Sequence, residues 1–333
     1  MIPPDKQAAA ARALEGAFGV REHDALTPLA GTDGLSLALI YRVEVAGRPY
    51  LLRFVKETIP GVDPVREFDF MRRAADVGIA PRVWYACVED RVMVSDFVDV
   101  KPFPAGAAPR LATTLRRLHD LPGFVPTARY ADTMDAFVKR LAGADLLPRD
   151  TVDTLLRGYA AASVAYPQDP AGWVPCHHDL KPQNMLYDGE RFWLIDWEAA
   201  FLDERYVDLA IAANFVAATD ADADAFLAAY FGHPPNADQQ ARFFLVSQLI
   251  STFYVAMFGL LAARAGLVGD AGADLPAFPD LHRRIAAGEV NLGTPEAMRT
   301  YARVHLRRAL TAIQSPRFAQ AVARLSRRRG PGR

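Results

Sequence analysis

Residues 176–198 constrain the fold of this chain more than any other stretch. They read Cys176-His177-His178-Asp179-Leu180-Lys181-Pro182-Gln183-Asn184 and close on Leu194-Ile195-Asp196-Trp197-Glu198. Between the two runs, Met185-Leu186-Tyr187 and Phe192-Trp193-Leu194-Ile195 flank Asp188-Gly189, a hairpin pattern set among helical ones. The hairpin joins two short loops that carry Asp179, Asn184 five residues later, and Asp196 twelve beyond that.

The rest of the chain alternates in character. Ala8 to Ala13 favour helix, with Leu14 and Phe18 four apart on one face. From Leu29 onward, Leu39–Val45 and Tyr50–Val55 read as strands around a turn at Ala46-Gly47-Arg48-Pro49. A helix is expected over Pro64–Val77, entered through Asp63 and closed by Gly78. Arg82–Cys87 and Val92–Phe97 are two further strands. Beyond Pro102 the periodicity is helical, marked by Leu111, Leu115 and Leu118, and again by Met134, Phe137, Val138 and Leu141. Helices resume near Val207, and 266–295 reads as a long loop with a short helix near 281–287. The expected architecture is α+β: an N-terminal lobe over 1–97 built on a small antiparallel sheet, and a larger, mainly helical lobe over 98–333, frayed from about 326. Two lobes joined by a hinge make a cleft.

Composition excludes several classes. The 333 residues are 51% apolar and 23% charged with a net charge of −1, which describes a globular chain with no overall pull toward nucleic acid or an anionic membrane. Cys87 and Cys176 lack CxxC partners, which argues against a disulfide framework or zinc-thiolate site and suits a reducing cytoplasm. No signal peptide is read at the start. Phe243–Ala263 is uncharged and long enough to span a bilayer, but Ser247, Gln248, Ser251 and Thr252 near its middle favour a buried helix.

The chemistry of 176–198 is that of phosphoryl transfer. A carboxylate such as Asp179 aligns an incoming hydroxyl and receives its proton. The amide oxygen of Asn184 and the carboxylate of Asp196 are hard ligands suited to Mg2+. If the strand runs on past Asp196, Glu198 shares its face and reaches the same metal, with a structural salt bridge as the rival reading. A transition-metal hydrolase built on His177, His178 and Asp179 is disfavoured, because adjacent residues of an extended segment point to opposite faces. His177 is expected instead to orient the loop by hydrogen bonds.

HHDLKPQN followed by IDWE, and then Asp208-Leu209-Ala210, resembles the family of aminoglycoside phosphotransferases and choline/ethanolamine kinases, a branch of the protein-kinase-like fold. The resemblance covers most of the chain. It implies a phosphate-covering loop at 29–36, with Gly31, Thr32, Gly34 and Ser36 near the nucleotide. It also implies a phosphate-contacting cation at Arg53 with Glu67 as its acidic partner, and an adenine-contacting hinge over 93–98 that includes Ser95 and Phe97. Asp208 would brace the catalytic loop, and His119 would be structural. ATP or GTP is the implied co-substrate, with Mg2+. The implied acceptor is a small hydroxyl compound of the amino-alcohol or aminoglycoside type.

The acceptor site departs from that pattern. The helix that carries tryptophans in choline kinases has Phe253, Tyr254, Met257 and Phe258 here, and the stretch after Asp208 has Asn214 but no acid. Tyr254 and Phe258, four apart, could wall a small pocket, with core packing as the plainer reading. Asp220, Asp222 and Asp224 form the one obvious acidic cluster, and a solvated helix start explains it. Two other functions remain open. A protein Ser/Thr kinase is suggested by Asp179-Leu180-Lys181-Pro182, but Ile195-Asp196-Trp197-Glu198 stands in place of Asp-Phe-Gly, and only twelve residues separate Asp196 from Asp208. A non-catalytic nucleotide-binding module would share the fold.

Overall fold

Two glycine-rich punctuations and a run of alternating β-branched residues set the N-terminal structure. The computed structural model describes residues 1–29, 38–55, 63–104, 106–122, 124, 128–166, 169–267 and 275–327. Helix α1 (Pro4–Phe18) begins on a proline and stops at Gly19, whose φ of 74° a side chain would resist. Strands β1 (Ala25–Leu29), β2 (Ala38–Val45), β3 (Arg48–Val55), β4 (Val83–Cys87) and β5 (Val92–Asp96) form one antiparallel sheet in the order β1-β2-β3-β5-β4. The β2–β3 turn is tighter than the sequence pattern suggests. Ala46 and Gly47 alone make it, both at positive φ, and Pro49 is already paired with Glu44. Proline is tolerated there because the pairing with β5 starts only at Tyr50. Strand β1 escapes the sequence reading: it is a short edge strand containing Pro28, with no clean alternation.

Along β2, Tyr41, Val43 and Val45 point inward and pack with Leu52, Phe54, Val92 and Val94 against Ala9, Ala13 and Leu14 of α1. Helix α2 (Pro64–Asp76) is capped by Asp63, whose carboxylate accepts the Val65 N–H at 3.0 Å.

The chain divides into two compact units, and the division is not a single cut after residue 97: Pro182–Ala200 groups with Met1–Pro102. Backbone hydrogen bonds account for this. The hairpin of β7 (Met185–Tyr187) and β8 (Phe192–Leu194) is tied to the first unit by Leu194 N–H to the Ile79 carbonyl at 2.7 Å and Lys101 N–H to the Tyr187 carbonyl at 2.6 Å.

The second unit, Phe103–Lys181 with Phe201–Arg333, is helical. It contains α3 (Ala108–His119), α4 (Tyr130–Ala142), α5 (Arg149–Ala165), α6 (Arg205–Val216), α7 (Asp220–Phe231), α8 (Ala237–Arg264), α9 (Phe278–Ala286), α10 (Pro295–Ile313) and α11 (Pro316–Ser326). Helix α8 is long and apolar enough to cross a membrane, yet two-thirds of its most apolar window is buried against the helices around it. It packs on α10, α4, α6, α11 and α5, and its polar Ser247, Gln248, Ser251 and Thr252 are buried too. Ser247 and Thr252 donate to the carbonyls four residues back, as hydroxyls in buried helices do. A two-stranded ribbon, β6 (Val174–Cys176) against β9 (Phe201–Asp203), carries the chain into residues 177–181.

Candidate active site

In the second unit, β6 ends at Cys176 and the following loop is fastened to α6. Asp208 accepts the N–H groups of His177 at 2.7 Å and His178 at 2.8 Å. His119 places Nε2 3.2 Å from the same carboxylate and Nδ1 2.7 Å from the Tyr230 hydroxyl. Asp208 is fully buried, and burial works to raise its pKa. The His119 hydrogen bond, the nearby His178 and His119, and the His177 amide overrule it and hold the carboxyl down at about 2. His177 Nδ1 accepts the Asp179 N–H at 3.4 Å, the loop-orienting contact its position suggests.

His178 is left-handed, φ 64°, a conformation that costs a non-glycine residue about 1–3 kcal/mol. Its ring is stacked between Tyr130 (5.0 Å) and Phe201 (3.9 Å), with Nε2 3.5 Å from Asp203. Asp203 itself accepts the N–H groups of Tyr130 and Glu204 at 2.8 and 2.7 Å. At the end of this scaffold the Asp179 carboxylate lies 3.0 Å from Lys181 Nζ and keeps about a third of its side chain exposed. His119, Cys176 and Asp208 bring three potential metal ligands within 4.8 Å of one another. Their proximity follows from the brace: Asp208 is engaged by two amides and His119, and burial pushes the Cys176 thiol well up, away from the thiolate a metal needs.

In the first unit, Arg53 occupies the middle of the sheet, paired through β3 with Ile40 and Met93. Its guanidinium forms an ion pair with Glu67 in the first turn of α2 and reaches Asp196 Oδ1 at 2.8 Å. Burial alone would lower the Arg53 pKa. Glu67 and Asp196 outweigh that cost, with a further contribution from Glu198, and hold it above its ordinary value. Glu67 is 1% exposed, and its second oxygen, Oε2, has no hydrogen-bond partner among the described residues.

Asn184 ends a short 3-10 turn, and its backbone carbonyl accepts the Ile195 N–H at 3.1 Å, so the residue before Asp196 is tied to Asn184. Asp196 is left-handed, φ 66°. The strand does not run on to Glu198, as sharing a face with Asp196 would require. β8 stops at Leu194, and Trp197–Ala199 forms a 3-10 turn whose Glu198 carbonyl accepts from Arg66 at 2.9 Å. The Glu198 carboxylate nevertheless contributes to the field on Arg53. The donor set of Asn184, Asp196 and Glu198, all oxygen, fits Mg2+ and not a soft metal.

Ser95 lies inside the sheet, buried and paired with Leu51 on one side and Val83 on the other, so its backbone is engaged by neighbouring strands. Phe97 lies just past the end of β5, under the Arg42 guanidinium at 5.5 Å, and lines a cleft of about 360 Å³ with Asp96 and Trp193. Gly31, Thr32, Gly34 and Ser36 fall outside the described residues.

A profile of the phosphotransferase enzyme family matches residues 32–244, close to two-thirds of the chain. The chain belongs to that family. The structure is similar to a choline/ethanolamine kinase family protein from Mesorhizobium loti, over 97% of this chain and 99% of that one, with TM-score 0.70 and 19% identity. It is also similar to a spectinomycin phosphotransferase in complex with ADP and spectinomycin, over 76% of this chain and 88% of that one, with TM-score 0.53 and 13% identity. These likenesses establish a kinase-like α+β fold. A 36-residue stretch is 47% identical to protein LicA of Haemophilus influenzae, spanning 11% of this chain and 14% of that protein.

Among the candidate acceptor residues of this phosphotransferase, Tyr254 feels Asp179 most directly. Burial pushes its phenol up, and the charges of Asp179 and Asp208 push it further. Tyr130 responds in the same way, to burial first and then to Tyr254, Asp179 and Asp208. Tyr254 also contacts Phe258 (5.8 Å), Tyr301 (5.6 Å) and His305 (5.1 Å), and Phe258 is buried in the cluster around α9 and α10. The sequence reading did not include Tyr130, Tyr301 or His305; Tyr301 and His305 lie four apart on α10, a helical spacing the sequence carries, whereas Tyr130 is at the start of α4, far from both in the chain. Asn214 gives its side-chain oxygen to Arg308 at 3.0 Å. Asp222 makes a capping box with Thr219 at the start of α7, Asp220 pairs with Arg317 at 2.8 Å, and Asp224 accepts from Gln240 Nε2 at 3.0 Å, so all three clustered aspartates have structural partners.

Proposed function

We propose that this phosphotransferase is a small-molecule kinase that transfers the γ-phosphoryl group of ATP or GTP, with Mg2+, to a hydroxyl of a small acceptor. Asp179 orients the hydroxyl and takes its proton. Arg53, kept charged by Glu67, contacts the nucleotide phosphates. Asn184 and Asp196, with Glu198 as an auxiliary donor, would hold Mg2+, which neutralises phosphate charge when bound. Asp208, His177 and His119 fix the loop that presents Asp179. The observation that carries this reading is the buried Glu67–Arg53–Asp196 chain, a held cation flanked by the carboxylate that the metal role requires.

A protein kinase is disfavoured by the segment after Asp196. A 3-10 turn, β9 and the start of α6 at Arg205 follow without interruption, which leaves no length for an activation loop. Asp220 and Asp222 are engaged structurally, and aromatic side chains cluster around Tyr254. Together these favour an amino alcohol or neutral alcohol over a polycationic aminoglycoside. Two unpaired cysteines suit a reducing cytoplasm as its location.

The test is transfer of γ-labelled phosphate from ATP and from GTP, with and without Mg2+, to a panel of amino alcohols, neutral alcohols, sugars and aminoglycosides. Mg2+-dependent labelling of at least one acceptor is expected. Nucleotide binding without labelling of any acceptor would favour a non-catalytic module, and neither binding nor labelling would sink the proposal.

A further inference from the structure

Arg308 on α10 is a guanidinium that feels the charge of Asp220 without forming an ion pair with it. Among the described residues no carboxylate pairs with it; its contacts are the Asn214 side-chain oxygen at 3.0 Å and the face of Phe278 at 3.9 Å. Burial depresses its pKa to about 10, which measures how poorly the surroundings compensate the charge. Arg308 lines a cleft of about 570 Å³ in the second unit, formed by α6, the N-terminal part of α8, and α10, with the starts of α7, α9 and α11. That volume falls in the range of small-ligand sites. Neither Asp179, Tyr130 nor Tyr254 is among its lining residues.

The lining has two characters. Ala213 of α6 and Ala217 just past its end, with Phe243 of α8 and Val304 of α10, give an apolar wall in which the small alanines leave room for a guest. The charged lining is predominantly cationic, with Arg307, Arg308 and Arg317 against Asp220 alone. Asp220 is committed to Arg317, which also covers the Phe244 ring at 4.5 Å, and Arg307 is turned onto the carbonyls of Leu275 and Pro276. Arg308 is therefore the lining arginine held by an uncharged side-chain oxygen, that of Asn214, and not by a carboxylate.

Gln248 adds a polar group to the lining. Gln248, 4% exposed, donates through Nε2 to the Phe244 carbonyl at 3.2 Å, while its Oε1 has no partner. An unsatisfied buried acceptor costs about 1–3 kcal/mol, and an anionic guest, which carries no proton, leaves that cost in place.

We propose that this cleft binds a small organic anion with an apolar body, its acid group held by Arg308 and its apolar part against Ala213 and Ala217. The ligand would stabilise the fold by mass action, because the unfolded chain offers no such site. The site does not depend on the catalytic reading above, and its test uses no nucleotide or acceptor.

Octanoate, acetate and octylammonium serve as probes, read by calorimetric titration and by thermal shift on the full chain. Octanoate should bind at least tenfold more tightly than acetate and raise the melting temperature, while octylammonium should do neither. Arg308→Gln should weaken octanoate at least tenfold. Ala217→Phe, which fills the wall and leaves the guanidinium in place, should weaken it comparably, and it keeps the test decisive if the Arg308 variant does not fold. Octanoate that fails to bind the wild type, or that binds both variants unchanged, would overturn the proposal, as would equal binding of octylammonium.

Discussion

Glu204, at the N-cap of α6, is 5% exposed, with Tyr166 donating to it at 3.4 Å and the Arg242 guanidinium 3.9 Å away as an ion pair. Burial raises its pKa from 4.5 to about 7, with the push of Asp203 and against the pull of Arg242, Arg205 and the Tyr166 hydroxyl. Between those two pH values the folded protein keeps a proton that the unfolded chain has released. The contribution to stability is therefore complete below about 4.5, declines as pH rises toward 7, and is flat above it. The size is on the order of 3 kcal/mol. Glu204→Gln fixes the neutral form, so its melting temperature should vary less with pH between 5 and 7 than that of the wild type. Parallel curves for the two proteins would contradict this account. The position of Glu204 just after β9 gives no hint of the shift in sequence, since Tyr166 and Arg242 come from distant helices. Asp179, Asn184 and Asp196 could be proposed from sequence because the chemistry assigned to them depends on residue type and short spacing. The ion pair between Arg53 and Asp196, 143 residues apart, was not, and neither was the left-handed strain of His178.

Elements followed their local signals where those signals were strong. Asp63-Pro64 opened α2 as capping chemistry requires, and the 185–194 hairpin formed around Asp188-Gly189. Where packing decides, sequence was silent: β1 exists because β2 offers it an edge, and β8 ends early because Asp196 turns left-handed. One glycine marks such a packing decision. Gly158 lies within α5, where glycine costs about 1 kcal/mol relative to alanine. A Cβ there would stand 2.4 Å from Ile313 Cδ1 at the end of α10, so the two helices require its absence. Gly158→Ala should lower stability by about 1–3 kcal/mol despite its better helix propensity, read from the urea midpoint, and adding Ile313→Ala should recover part of the loss. A single Gly158→Ala variant more stable than the wild type would show that α5 and α10 adjust freely.

At the scale of the molecule, the α+β class and the succession from sheet to helices were legible because periodicity changes from two to three or four near residue 100. The grouping of 182–200 with the first unit was not, because it rests on hydrogen bonds to Ile79 and Lys101 that no sequence pattern announces. The proposed acceptor surroundings were legible only in part, since Tyr130, Tyr254 and Tyr301 are assembled from three helices. The central claim, that Asp179 performs chemistry while Arg53 serves the nucleotide, is tested most directly by comparing Asp179→Asn and Arg53→Ala in kcat and in nucleotide Kd. Asp179→Asn should lose ~100-fold or more in kcat with nucleotide affinity nearly unchanged, and Arg53→Ala should weaken nucleotide binding as well as turnover. Full turnover by Asp179→Asn, or a loss confined to its nucleotide affinity, would contradict the account.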